Sequence, residues 1–263
     1  MLTDLPVFAK AMRDQRRALL MWLLGVAVVM AIYTSSYAQV KKQGNALDSI
    51  PSGMAGAMHF DDLTSGAGFL EGTVFGLLGP LLLLIFAIST GTRAIAAQEQ
   101  SGVLDLYLAY PITRRRLGLE RFGALFTSVL VLTLLVAVEV TGLASSQDMH
   151  VPAGHVIAGA VQLGLLALFF GALALCIGGV TGNRAVTLGA TSAAAVGSYI
   201  VNAIASQIDG LHFLQRITPF YWAQGTRPLR DGFDAGGVIV LLAATAVVLA
   251  VGMRFFSRRD INT

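Results

Sequence analysis

The ionisable side chains of this sequence fall into three groups by the chemistry their types and spacing could support. Asp148, His150 and His155 stand close together, and imidazole plus carboxylate is a donor set that suits zinc or copper. Two histidines with no scaffold between them read more simply as solvated loop residues. Glu71 and Glu139 could carry a proton across an apolar barrier, but each stands alone near the outer end of an apolar run. Proton and ion carriers place carboxylates or histidines near mid-membrane, so coupling of that kind is poorly supported. The third group is denser: Glu99 and Asp105 precede Arg114, Arg115 and Arg116 within one segment between two apolar runs, and the three arginines call for something anionic nearby.

Hydrolytic machinery is missing from the sequence. It has neither an H-E-x-x-H zinc helix nor a G-x-S-x-G nucleophile elbow. Its lysines are Lys10, Lys41 and Lys42, and none follows the glycine pattern that cradles nucleotide phosphates. If ATP drives this protein, another chain must bind it. The single Cys176 lies inside an apolar run, so there is no internal disulfide or cysteine metal cluster.

The elements that must position these groups are set by composition. Of the 263 residues, 55% are hydrophobic and only 13% charged, with a mean hydropathy of +0.71. Soluble domains carry about 25% charge. The deficit fits a chain solvated mainly by lipid, because each charge at a helix centre costs about 2.5–3.5 kcal/mol to insert. A cytosolic enzyme is excluded. Six apolar runs approach the roughly 20 residues needed to cross hydrocarbon, at about 18–37, 72–92, 122–144, 155–180, 185–204 and 236–253. The expected fold is therefore all-α and polytopic.

An even number of spans puts both termini on one side, and the basic residues say which. Lys10, Arg13, Arg16, Arg17, Arg93, Arg114, Arg115, Arg116, Arg121, Arg184, Arg254, Arg258 and Arg259 share one side, leaving Lys41, Lys42, Arg216, Arg227 and Arg230 for the other. Cytoplasmic loops retain Lys and Arg, so both termini are expected in the cytoplasm and the chain in the plasma membrane. The net charge of +3 then serves topology and contact with anionic lipid rather than nucleic acid. The first run is too long for a signal-peptide core, which is about 7–15 residues, and is read as retained. Ahead of it, residues 1–17 place Leu5, Phe8 and Met12 on one helical face with Lys10, Arg13 and Arg17 elsewhere, predicting an interfacial amphipathic helix; Arg16 continues the apolar track and would have to snorkel.

Between the second and third spans lies the most informative stretch. Ser101 is a plausible N-cap, and Val103, Leu104, Tyr107 and Leu108 recur at one-face helical spacing. Pro111 ends that short helix, and Thr113 can cap the next. Three arginines at a helix N-terminus oppose its dipole, so something anionic should lie nearby. The bland reading is that they only enforce topology. The surrounding pattern, however, resembles the signature of ABC type-2 permeases, E-x-x-G-T-L-E-x-L-L-x-x-P-[IV]-[ST]-R-x-x-[IL]-x-x-x-K, and Glu99, Gly102, Leu104, Asp105, Leu108, Pro111, Ile112, Thr113, Arg114 and Leu117 fit it. Gln100, Val103, Tyr107 and Arg121 depart from it.

The resemblance extends along the chain, through Pro80 in a Pro-Leu-Leu-Leu-Leu-Ile-Phe-Ala run, a Thr-Pro-Phe-Tyr-Trp motif from Thr218, and a Phe-Ser-Arg-Arg-Asp-Ile ending from Phe256. It implies a permease subunit that pairs with itself or a homologue and sits on two separate ATP-binding subunits. ATP and magnesium would belong to those partners, with no cofactor in this chain. Residues 99–116 would be the coupling helix, with Glu99, Gly102, Leu104, Asp105, Leu108, Pro111, Thr113 and Arg114 facing the ATPase. The expected function is an exporter working by alternating access; the rival is a membrane scaffold that binds a cytoplasmic partner without transport.

Three further features bear on that function. Pro80 supplies no N–H to the carbonyl of Gly76, and Gly76 and Gly79 leave room to bend, so a kink is predicted that serves either packing or a hinge. Gly164, Gly171 and Gly178 recur every seven residues and read as close helix packing, while the small residues from Thr187 onward could face a partner subunit or line the path. Pro219, Phe220, Tyr221 and Trp222 read first as an interfacial aromatic belt; by analogy with related permeases they would form a re-entrant cap at the exit.

Overall fold

The computed structural model describes residues 6–42, 65–102, 113–206, 208 and 211–258. The protein is all-α, as its apolar runs require: the described residues form helices and no strands, and six helical segments are long and apolar enough to cross a membrane. In chain order the elements are α1 (Pro6–Ser35), α2 (Tyr37–Lys42), α3 (Gly66–Phe69), a π-helix (Leu70–Leu78), α4 (Gly79–Ala94), α5 (Ala96–Gln100), α6 (Arg114–Ser146), α7 (Ala153–Thr181), α8 (Arg184–Ala205), α9 (His212–Gln215), α10 (Pro219–Gln224), α11 (Pro228–Asp231) and α12 (Ala235–Arg258).

The predicted spans fall on α1, the π-helix with α4, α6, α7, α8 and α12, and most of these helices run past the predicted ends. The first span instead runs through the turn at Ser36 to Tyr37, where α2 begins. Residues 6–17 of the predicted N-terminal helix are helical and form the opening turns of α1, continuous with the span. Val7 and Ala11 are buried, the Phe8 ring lies against Gly123 of α6, and Gln15 Nε2 donates to Ser128 Oγ at 2.8 Å. Part of the apolar face thus rests on α6, and Leu5 falls outside the described residues.

Helix α7 is the centre of the bundle. It is apolar all round, and such a helix is stable only when surrounded; α4, α6, α8 and α12 all pack on it. Its glycines make those approaches possible. A Cβ on Gly164 would collide with Thr133 of α6, one on Gly171 would press on Leu125 and Ala87 at 3.0 and 3.2 Å, and one on Gly178 would stand 3.2 Å from the Ala96 Cβ. The turn into α8 is equally tight. Gly182 adopts φ 63°, closing α7, and Asn183 Oδ1 accepts the N–H groups of Ala185 and Val186 at 2.9 and 3.1 Å, opening α8.

Contacts along the bundle gather the basic segments at one end. Glu120 reaches Val7, Arg121 reaches Gln98, and the Phe256 side chain lies against Gly179. At the opposite end Gly66 abuts Met149, His155 Nδ1 lies 3.0 Å from the Leu229 carbonyl, and Thr218 meets Asn202.

Candidate functional site

At the basic end, helix geometry breaks at Ile95 (φ −128°, ψ −63°), which is fully buried between α4 and α5. The short α5 carries Glu99 and ends at Ser101. Ser101 closes α5, with its hydroxyl donating to the Gln98 carbonyl at 3.1 Å, and the helix it is expected to open falls outside the described residues. Gly102 follows at φ 70°, a conformation that L side chains rarely adopt. Leu104, Asp105, Leu108 and Pro111 lie outside the described residues, as does the rest of 103–112. Thr113 re-enters with extended backbone (φ −69°, ψ 144°), and its hydroxyl accepts the Arg116 N–H, capping α6 as its sequence position predicts. Arg114 begins that helix.

Two side chains brace this segment, and their roles were not foreseen. Arg121, buried to 5% exposure, donates from Nη2 to Gln98 Oε1 at 2.5 Å, tying α5 to α6. Glu120, also 5% exposed, accepts from Arg116 Nε at 2.8 Å and from the backbone N–H groups of Val7 and Phe8. It supplies part of the negative charge that arginines at a helix N-terminus require. The Arg116–Glu120 spacing of four was legible as an ion pair; its reach to α1 was not.

In the membrane interior, α4 and α8 diverge to leave a cleft of about 280 Å³. Leu81, Leu84 and Ile88 of α4 face Leu188, Ala195 and Val196 of α8, and the polar groups on its walls are Ser89, Ser192 and Tyr199. Pro80 and Phe220 line the same cleft, so a hinge candidate and a gate candidate converge there. Gly79 faces away: a Cβ there would meet Leu163 of α7 at 2.6 Å. Gly76 is buried beside Glu71, Gln224 and Arg227 in a smaller void of about 20 Å³.

The motif at 219–222 lies in the short helix α10. Thr218 caps α10 by accepting the Tyr221 N–H, and its hydroxyl lies 3.2 Å from Asn202 Oδ1 at the end of α8. Pro219 thus occupies the first helical position, where its missing N–H costs nothing. Phe220 is 1% exposed and packs edge-on to Tyr199 at 5.3 Å and against Phe170 at 6.1 Å. Tyr221 and Trp222 are half-buried. Phe220 thereby anchors α10 between α7 and α8.

The second span carries a distortion that sequence could not specify. The nine residues before Gly79 are π-helical, and the Gly79 N–H donates to the Val74 carbonyl, five residues back. π-Helical departures inside α-helices frequently fall at functional sites. Glu71, at the start of the π-helix, is buried and pairs with Arg230 Nε at 3.4 Å.

Residues 6–257 match the family described as "Multidrug efflux system permease Rv1217c, C-terminal domain". No curated protein matches the chain. A match over nearly its whole length means that the chain belongs to this family, and it is a multi-pass membrane permease.

Proposed function

We propose that the chain is the membrane-spanning subunit of an ATP-driven ABC exporter, energised by two separate ATP-binding subunits that hold ATP and magnesium. The observation that carries this reading is the segment from α5 to the start of α6. Its residues fit the type-2 permease pattern, and both its ends are braced: Gln98 to Arg121 on one side, the Thr113 cap on the other. A push on residues 103–112 is then delivered to α4 and α6 together. Because α4 also walls the cleft, its displacement changes the cleft's width.

The cleft defines the cargo by its chemistry. Its walls are mainly carbon, with a few hydroxyls, which suits an apolar or amphipathic solute. Opening at the basic end admits the solute; withdrawal of Phe220 releases it at the other. A second permease copy would complete the path. The outer face of α8 is exposed and small, and Gly189 and Gly197 have nothing within 4 Å of a built Cβ, which permits close helix association. The distribution of basic residues supports a plasma-membrane location with the α5–α6 end in the cytoplasm.

The test is reconstitution of the chain with its ATP-binding subunits in vesicles. Vanadate-sensitive export should be lost in Arg114→Ala and Asp105→Ala, with weaker binding of the ATPase. Export and ATP turnover that persist unchanged in both variants would reject the coupling role. Co-purification of a partner without transport would favour a scaffold.

A further inference from the structure

We propose that Gln224 is a positioning residue that holds the second span in its π register and ties that register to the re-entrant helix α10. The main-chain ladder of the π-helix ends with the Gly79 N–H on the Val74 carbonyl. Its next rung would run from residue 80 to the carbonyl of Phe75, and Pro80 has no N–H to offer. Gln224 Nε2, from the last position of α10, donates to that Phe75 oxygen at 2.7 Å. The amide fills a rung that proline leaves open.

The geometry makes this a link and not only a patch. Phe75 is buried, its ring standing 3.3 Å from a Cβ built on Gly159 of α7, and its carbonyl is held by the Gln224 amide. The Glu71–Arg230 pair joins the first turn of the same π-helix to α11, just beyond α10. Phe220, on α10, and Pro80 both line the cleft. A shift of the span from π to α register would withdraw the Phe75 carbonyl from Gln224 and release α10. The outer end of the cleft would open as the helix rewinds. This inference concerns the outer half of the chain and does not depend on how transport is energised.

The test uses the full chain in lipid nanodiscs without nucleotide or partner. Amide hydrogen exchange across residues 74–79 reads the register, and iodide quenching of Trp222, with Trp22→Phe as background, reads the docking of α10. In Gln224→Leu, exchange should accelerate about five- to a hundredfold, the range for stranding a buried acceptor, and Trp222 should become more quenchable. Adding Pro80→Ala restores a main-chain donor. Exchange should then return to within about threefold of Pro80→Ala alone, while Trp222 remains quenchable because α10 is still untied. Gln224→Glu, which keeps the side-chain length but loses the amide donor when ionised, serves if the leucine variant does not fold. Unchanged exchange in the Gln224 variant that folds, or failure of Pro80→Ala to restore it, would overturn the proposal.

Discussion

Glu120 Oε2 accepts the backbone N–H of Val7 at 2.9 Å, so a side chain from the third span closes the first turn of the first. The same oxygen takes the Phe8 N–H at 3.0 Å, while Oε1 takes Arg116 Nε at 2.8 Å. One carboxylate thereby takes two main-chain donors at the start of α1 and a guanidinium from the first turn of α6. The first turn of a helix carries unpaired donors and partial positive charge, and Arg116 adds a full one, so an anion between them serves both.

Removal of that carboxylate should loosen α1 first. Glu120→Ala is expected to lower stability by about 1–3 kcal/mol, the cost of stranding buried donors, and Glu120→Gln by less because an acceptor oxygen remains. Thermal unfolding in detergent gives the total effect. Limited trypsin digestion at Lys10 and Arg13 locates it; cleavage there at the wild-type rate would mean that α1 is held by its apolar contacts alone.

Gly102 offers a purely conformational test. It adopts φ 70° and a Cβ there would meet nothing within 4 Å, so substitution costs backbone strain and no collision. Gly102→Ala should cost about 1–2 kcal/mol at this position and Gly102→Asn clearly less, because asparagine tolerates the left-handed region. Equal effects of the two on unfolding would show that the turn is free to relax.

The glycines of α7 and α8 should behave in opposite ways. Gly164→Ala drives a methyl into Thr133 and is expected to destabilise the monomer by about 1–3 kcal/mol through overpacking. Gly189→Leu meets open space; it should leave monomer unfolding unchanged while weakening self-association, read by cross-linking in membranes. A dimer yield insensitive to Gly189→Leu would place the partner on another face.

Much of this arrangement is written in the chain at short range. Thr113 at the head of an apolar run is a cap, and Thr113 caps α6. The seven-residue spacing of Gly164, Gly171 and Gly178 reads as close packing, and each sits against a neighbour. Residues 6–17 are helical as their pattern predicts, but amphipathicity says that a face must be covered and not by what; lipid and α6 are equally apolar covers. A hydroxyl near a helix boundary can serve either side, and Ser101 donates back to the Gln98 carbonyl. The coupling residues Leu104, Asp105, Leu108 and Pro111 lie outside the described residues, and their grouping rests on sequence alone.

By itself, the sequence determined the number of spans, the end at which positive charge collects, and a missing main-chain donor at Pro80, because hydropathy, charge and a missing N–H are properties of a residue and its near neighbours. Only the tertiary structure decided that the span before Pro80 is π-helical, and that Gln224 answers the Phe75 carbonyl from 149 residues away. A hydrogen-bond vacancy is local, but the donor that fills it is whichever side chain packing brings within reach.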